Sequence, residues 1–116
     1  MGFPPQGSGG INRVKLSEGT LTADGTEQTV LDYTPTSIMK VYGWFDLNEL
    51  EADDACKLRS YLDTVMHGEE DYADALDRPR IYVVGRIIEK GVNYVITFEQ
   101  TLGVMRDYPY IFFKEF

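Results

Sequence analysis

The chain has 116 residues, 43% of them hydrophobic and 13% aromatic, with 19 acidic side chains against 11 Lys and Arg for a formal charge of −8. This composition suits one domain with a real core and excludes an intrinsically disordered chain. The charge disfavours nucleic acid and anionic membranes as partners, because affinity for phosphate comes largely from Lys and Arg, and no basic run occurs.

Met1 to Gly10 is rich in Gly and Pro and cannot build a helix or strand of its own. It reads as an extended arm over residues 1–10, with the folded domain spanning 11–116. Phe3, Pro4, Pro5 and Ile11 are its candidate partner-binding residues, since they are its apolar contacts on offer. From Ile11 the texture changes. Val14 and Leu16 alternate with Arg13 and Lys15 as in a half-buried strand. The run from Gly19 to Ala23, the Asp24-Gly25 pair and the run from Thr26 to Tyr33 read as strand, turn and strand, a hairpin signal. Pro35 ends that strand.

Ser37 to Leu47 is the next extended run. Met39, Val41, Phe45 and Leu47 fall on one face; Lys40, Tyr42, Trp44 and Asp46 fall on the other. Tyr42 and Trp44 are thus an outward aromatic pair; packing under a loop or against a neighbouring subunit is the preferred reading, and a ligand platform is the alternative. From Cys56 to Met66 the alternation Cys56, Leu58, Ser60, Leu62, Thr64, Met66 favours one strand, although a helix can be drawn through residues 52–66. His67 to Pro79 is the most acidic stretch and reads as a loop. Ile81 to Ile88 is strongly β-prone, Lys90-Gly91 is a turn candidate, and Val92 to Phe98 and Tyr108 to Phe116 complete the strands. Seven or eight short strands with little helix predict an all-β fold, a sandwich or a barrel; of these we expect a single antiparallel β-sandwich, jelly-roll-like, whose exact topology the pattern does not specify.

Catalytic constellations are limited by inventory. One His (His67) and one Cys (Cys56) leave few nucleophile–base or zinc sets to draw, and no intrachain disulfide can form. No catalytic residue, metal ligand or cofactor is therefore assigned, and the chain is expected not to be an enzyme. The acidic groups Glu51, Asp53, Asp54 and Glu69, Glu70, Asp71, Asp74 lack the spacing and glycine of an EF-hand loop; solvated acidic loops are the preferred reading, with a bound cation at either group, the stretch 67–79 included, as the alternative. The start at Met1 without a basic-then-apolar leader, and the absence of an apolar run near the ~20 residues of a membrane span, lead us to expect cytoplasmic synthesis without membrane insertion.

Leu21 to Thr29, and Trp44-Phe45-Asp46-Leu47 followed by Glu51-Ala52-Asp53-Asp54, resemble small β-sandwich domains of virus and phage structural proteins. The similarity covers about half of the chain and departs from those domains over His67 to Arg78. It implies a capsid, decoration or turret component located in a virion. Its partners would be protein, either copies of itself or other structural subunits. A carbohydrate- or receptor-binding module using Tyr42 and Trp44 is the alternative function.

Overall fold

The computed structural model describes residues 13–72 and 80–115. Eight strands run along it: β1 (Arg13–Thr22), β2 (Gln28–Tyr33), β3 (Met39–Asp46), β4 (Ala55–Leu62), β5 (Val65–Tyr72), β6 (Ile81–Ile88), β7 (Tyr94–Leu102) and β8 (Asp107–Glu115). They form two four-stranded antiparallel sheets, β1-β8-β3-β6 and β2-β7-β4-β5. Strands β4 and β5, β3 and β6, β2 and β7, and β1 and β8 pair in turn. The chain is thus one long antiparallel ribbon, with its tip between β4 and β5, wound so that β3 meets β8 and β4 meets β7. This is the jelly-roll arrangement.

Alternation of side chains explains which surface each strand buries. In β3, Met39, Val41, Phe45 and Leu47 beyond it point inward and are buried. In β7, Tyr94, Ile96, Phe98 and Gln100 do the same. Between the sheets Phe45 stacks on Phe98 with centroids 4.7 Å apart, and Tyr108 tilts against Phe98 at 4.8 Å. Such aromatic pairs add roughly 0.5–1.5 kcal/mol each to the gain from burial alone. Gln100 is buried without loss: its amide donates to the carbonyls of Leu102 and Val104, and its oxygen accepts from the Tyr108 hydroxyl at 2.8 Å.

Two glycines let the layers close. Inward-facing Gly43 lies opposite Phe112, and a Cβ there would stand 2.2 Å from the Ile111 carbonyl oxygen. Gly103, at φ +97°, leaves space for the Asp54 carboxylate, which a Cβ would meet at 1.8 Å.

Three expectations need correction. Asp24-Gly25 does not close a hairpin, because β1 and β2 belong to different sheets; it turns a corner between layers. Cys56 to Met66 is not one strand. Asp63 and Thr64, at φ +49° and +70°, make a two-residue reversal between β4 and β5. Two successive positive φ values match the twist of hairpin strands, and Asp63 is held by the Asn93 backbone in both directions. The acidic stretch from His67 is strand as far as Tyr72, rather than loop. It is stabilised by opposite charges across the ladder, Arg59 to Glu69 at 2.7 Å and Lys57 to Asp71 at 3.5 Å. Residues 52–66 contain no helix.

Candidate interaction surface

The two outer faces of the sandwich differ in kind. On the sheet containing β4, Arg59 Nε bonds Glu69 at 2.7 Å, and its Nη1 reaches Glu99 at 3.0 Å and Glu27 at 3.3 Å. Glu27 also accepts hydrogen bonds from the hydroxyls of Thr97 and Tyr61. Those bonds, Thr97's first, hold the Glu27 carboxyl below its usual range, and the field of Arg59 adds to them. The polar groups on this face bind one another.

The sheet containing β3 presents the opposite chemistry. Its register brings outward-facing residues of three strands into rows: Val83, Trp44 and Ile111 in one, Gly85, Tyr42 and Phe113 in the next. Phe113 is buried between Tyr42 and Trp44, with centroids at 5.5 and 5.9 Å, and the Arg13 guanidinium sits 4.3 Å above its ring. The Lys40 ammonium lies 5.6 Å from the Tyr42 ring. These cations cover aromatic faces by cation–π attraction. Toward β6 the cover ends. Val83 is 72% exposed, Ile87 66%, and Trp44 40%. Ile38, just ahead of β3, is 64% exposed.

Tyr42 and Trp44 therefore share one face, as the alternation predicts, but not one environment. Tyr42 is half-buried against Phe113, whereas Trp44 borders an open groove of about 530 Å³. Asp46, Glu18 and Ile111 line the groove with it; one oxygen of Glu18 accepts from Lys15 and one of Asp46 from Asn48, both at 2.8 Å. The apolar rows of β6 and β8 were missed from sequence because only the strand register shows that they flank Trp44. The alternating positions Ile81, Val83, Gly85 and Ile87 were the available signal.

Phe3, Pro4, Pro5 and Ile11 lie outside the described residues, as does Asp74 of the second acidic group. Asp54, from the first acidic group, is buried in a pair with Arg106 at 2.7 Å. Among the described residues no group of three His, Cys, Asp or Glu side chains could hold a metal ion. His67 is exposed on β5, and Cys56 is buried in the core. In the described residues no helix is long and apolar enough to cross a membrane. No family model and no curated protein matches this chain.

Proposed function

We propose that this chain is a non-enzymatic structural subunit of a multimeric assembly, of the kind that builds or decorates a virion. The observation that carries the reading is the contrast between the two faces. One is centred on the ion pairs of Arg59, with Val65 and Met66 exposed only where β4 turns into β5, while the other exposes Trp44, Val83 and Ile87 across two paired strands. A contiguous apolar patch on a soluble domain is the usual mark of a protein contact. Support for the virion in particular comes from the similarity of residues 21–29, 44–47 and 51–54 to virus and phage structural domains. The jelly roll also serves lectins and cupins, so fold alone does not choose among these roles.

The decisive experiment is solution mass of the purified chain across a concentration series, beside chains carrying Trp44→Ala or lacking residues 2–10. Assembly by the wild type, weakened in the Trp44 variant, is expected. Deleting residues 2–10 should leave the domain folded and assembling poorly; unchanged assembly would remove the arm from the account.

A second reading, binding of carbohydrate, is favoured by one observation. The groove beside Trp44 offers a ring to stack on a sugar, and the second oxygens of Asp46 and Glu18, beyond those bonded to Asn48 and Lys15, to accept from its hydroxyls. A glycan array with wild type and Trp44→Ala tests it, and no signal from the wild type ends it.

A further inference from the structure

A sandwich of two sheets has four edge strands, and each is a template for pairing with another chain unless something blunts it. Three are blunted here. Strand β1 carries Arg13, Lys15 and Glu18 and a register break between Lys15 and Ser17. Strand β2 is only six residues long and breaks register between Thr29 and Leu31. Strand β5 carries Glu69, Glu70 and Asp71, and its ladder with β4 breaks between Ser60 and Tyr61.

Strand β6 has none of these devices. Its eight residues pair with β3 in unbroken register, Ile81 with Asp46 through to Ile88 with Met39. It holds no Pro, no Lys and no acid; its one charge is Arg86. Among the described residues nothing pairs with its far side, where alternate N–H and C=O groups point away from β3. Its outward side chains, Ile81, Val83 and Ile87, are all exposed.

We infer that β6 is a self-association edge: it pairs antiparallel with β6 of a second copy about a twofold axis at Gly85, joining two four-stranded sheets into one of eight. The proposal deepens the assembly reading and rests on it.

A second copy is the occupant that fits, for three reasons. Antiparallel pairing about a twofold axis perpendicular to the sheet keeps outward residues on the outward face. Centring on Gly85 then sets Val83 of each copy against Ile87 of the other, matching the two most exposed apolar residues of the strand. Gly85 itself carries no side chain, so the two copies of residue 85 that face each other at the axis bring no side-chain clash. Finally, the chain carries −8 overall, and an acid-free edge is where two such chains can approach. The attraction is apolar and backbone-mediated while the net charges repel, so association should strengthen with added salt, the reverse of an interface built on ion pairs. One eight-residue edge is a small contact, in the class of weak interfaces below about 1,200 Å², where micromolar dissociation constants are expected. Such a pair forms at the concentrations an assembly supplies.

The test uses the full chain with Gly85→Cys, which the open space accommodates, and Lys15→Cys on β1 as the control; the native Cys56 is buried. Opposed Cα atoms at the axis fall within disulfide reach, about 4.5–5.5 Å. Under mild oxidation Gly85→Cys should yield a covalent dimer and Lys15→Cys should not. Val83→Lys, a change at an exposed position, should keep the wild-type circular dichroism and raise the dissociation constant about a hundredfold. If the chain associates but Gly85→Cys stays uncross-linked and Val83→Lys leaves the mass unchanged, the edge pairing is wrong and the assembly reading survives. If the chain stays monomeric while β6 amides resist hydrogen exchange, residues of the same chain cover the edge, and the proposal falls.

Discussion

Replacing Asp54 tests how the sandwich closes at the end carrying the β3–β4 and β7–β8 connections. Its carboxylate accepts from Arg106 Nε at 2.7 Å and from the Glu51 N–H at 2.8 Å, and it is packed against Gly103. The side chain of Asp54 is 4% exposed and that of Arg106 is 26% exposed, so water screens the pair only in part. A charge-assisted hydrogen bond of this type contributes roughly 1.5–3 kcal/mol, and deleting one partner also strands the other. Asp54→Ala should therefore lose about 3 kcal/mol, and Asp54→Asn, which keeps the shape without the charge, about 1.5 kcal/mol. For a domain of 116 residues each kcal/mol lowers Tm by about 4 °C. Burial pushes the Asp54 carboxyl upward, but the bonds from Arg106 and the backbone outweigh it and leave the group below its usual range. A depressed carboxyl contributes fully above its unfolded value, about 3.9, and loses that contribution as pH falls through the lower folded value. Urea titrations at neutral pH and across the acid range, followed by circular dichroism, should show the wild type and Asp54→Asn converging as Asp54 protonates. Equal stabilities at neutral pH, or a difference that persists unchanged in acid, would refute this account of the clamp.

The remaining predictions concern the core and the charged face. Gly43→Ala should cost at least about 3 kcal/mol or prevent folding, because the new methyl meets the Ile111 carbonyl rather than a flexible side chain; chemical denaturation measures it. Arg59→Ala should destabilise by about 1 kcal/mol, a modest figure for a partly screened network, and added salt should restore part of the loss by damping repulsion among Glu27, Glu69 and Glu99. Burial pushes the Tyr94 hydroxyl up to about 12. A raised tyrosine contributes fully below its unfolded value near 10 and loses that contribution as pH rises toward the folded one. Tyr94→Phe should therefore flatten the loss of stability across that alkaline window, and an unchanged pH profile would count against a desolvated Tyr94.

The alternating runs disclosed strand identity and the core well. Met39, Val41, Phe45 and Leu47 sit inward as their spacing requires, and so do Tyr94, Ile96 and Phe98. The pairing of strands was harder to read, for a physical reason. All but one of the connections cross between sheets, so the neighbour of β1 is β8 at the other end of the chain, and no local signal encodes that. The strongest turn pair, Asp24-Gly25, marks a corner. The one true hairpin uses Asp63 and Thr64, residues whose positive φ values are held by contact with Asn93. The acidic run misled because its charges suggest solvent, whereas Arg59 and Lys57 on β4 supply the cross-strand partners that let it pair. Trp44 was legible as an outward aromatic. That Val83 and Ile111 flank it follows only from the register of β3 with β6 and β8.

Sedimentation equilibrium of the wild-type chain, from low micromolar to millimolar concentration and at two ionic strengths, tests the central claim most directly. The assembly reading predicts a mass that rises above the 13.2 kDa of one chain as concentration increases, and pairing through β6 adds that it rises further in the higher salt. A constant 13.2 kDa throughout both series would contradict it.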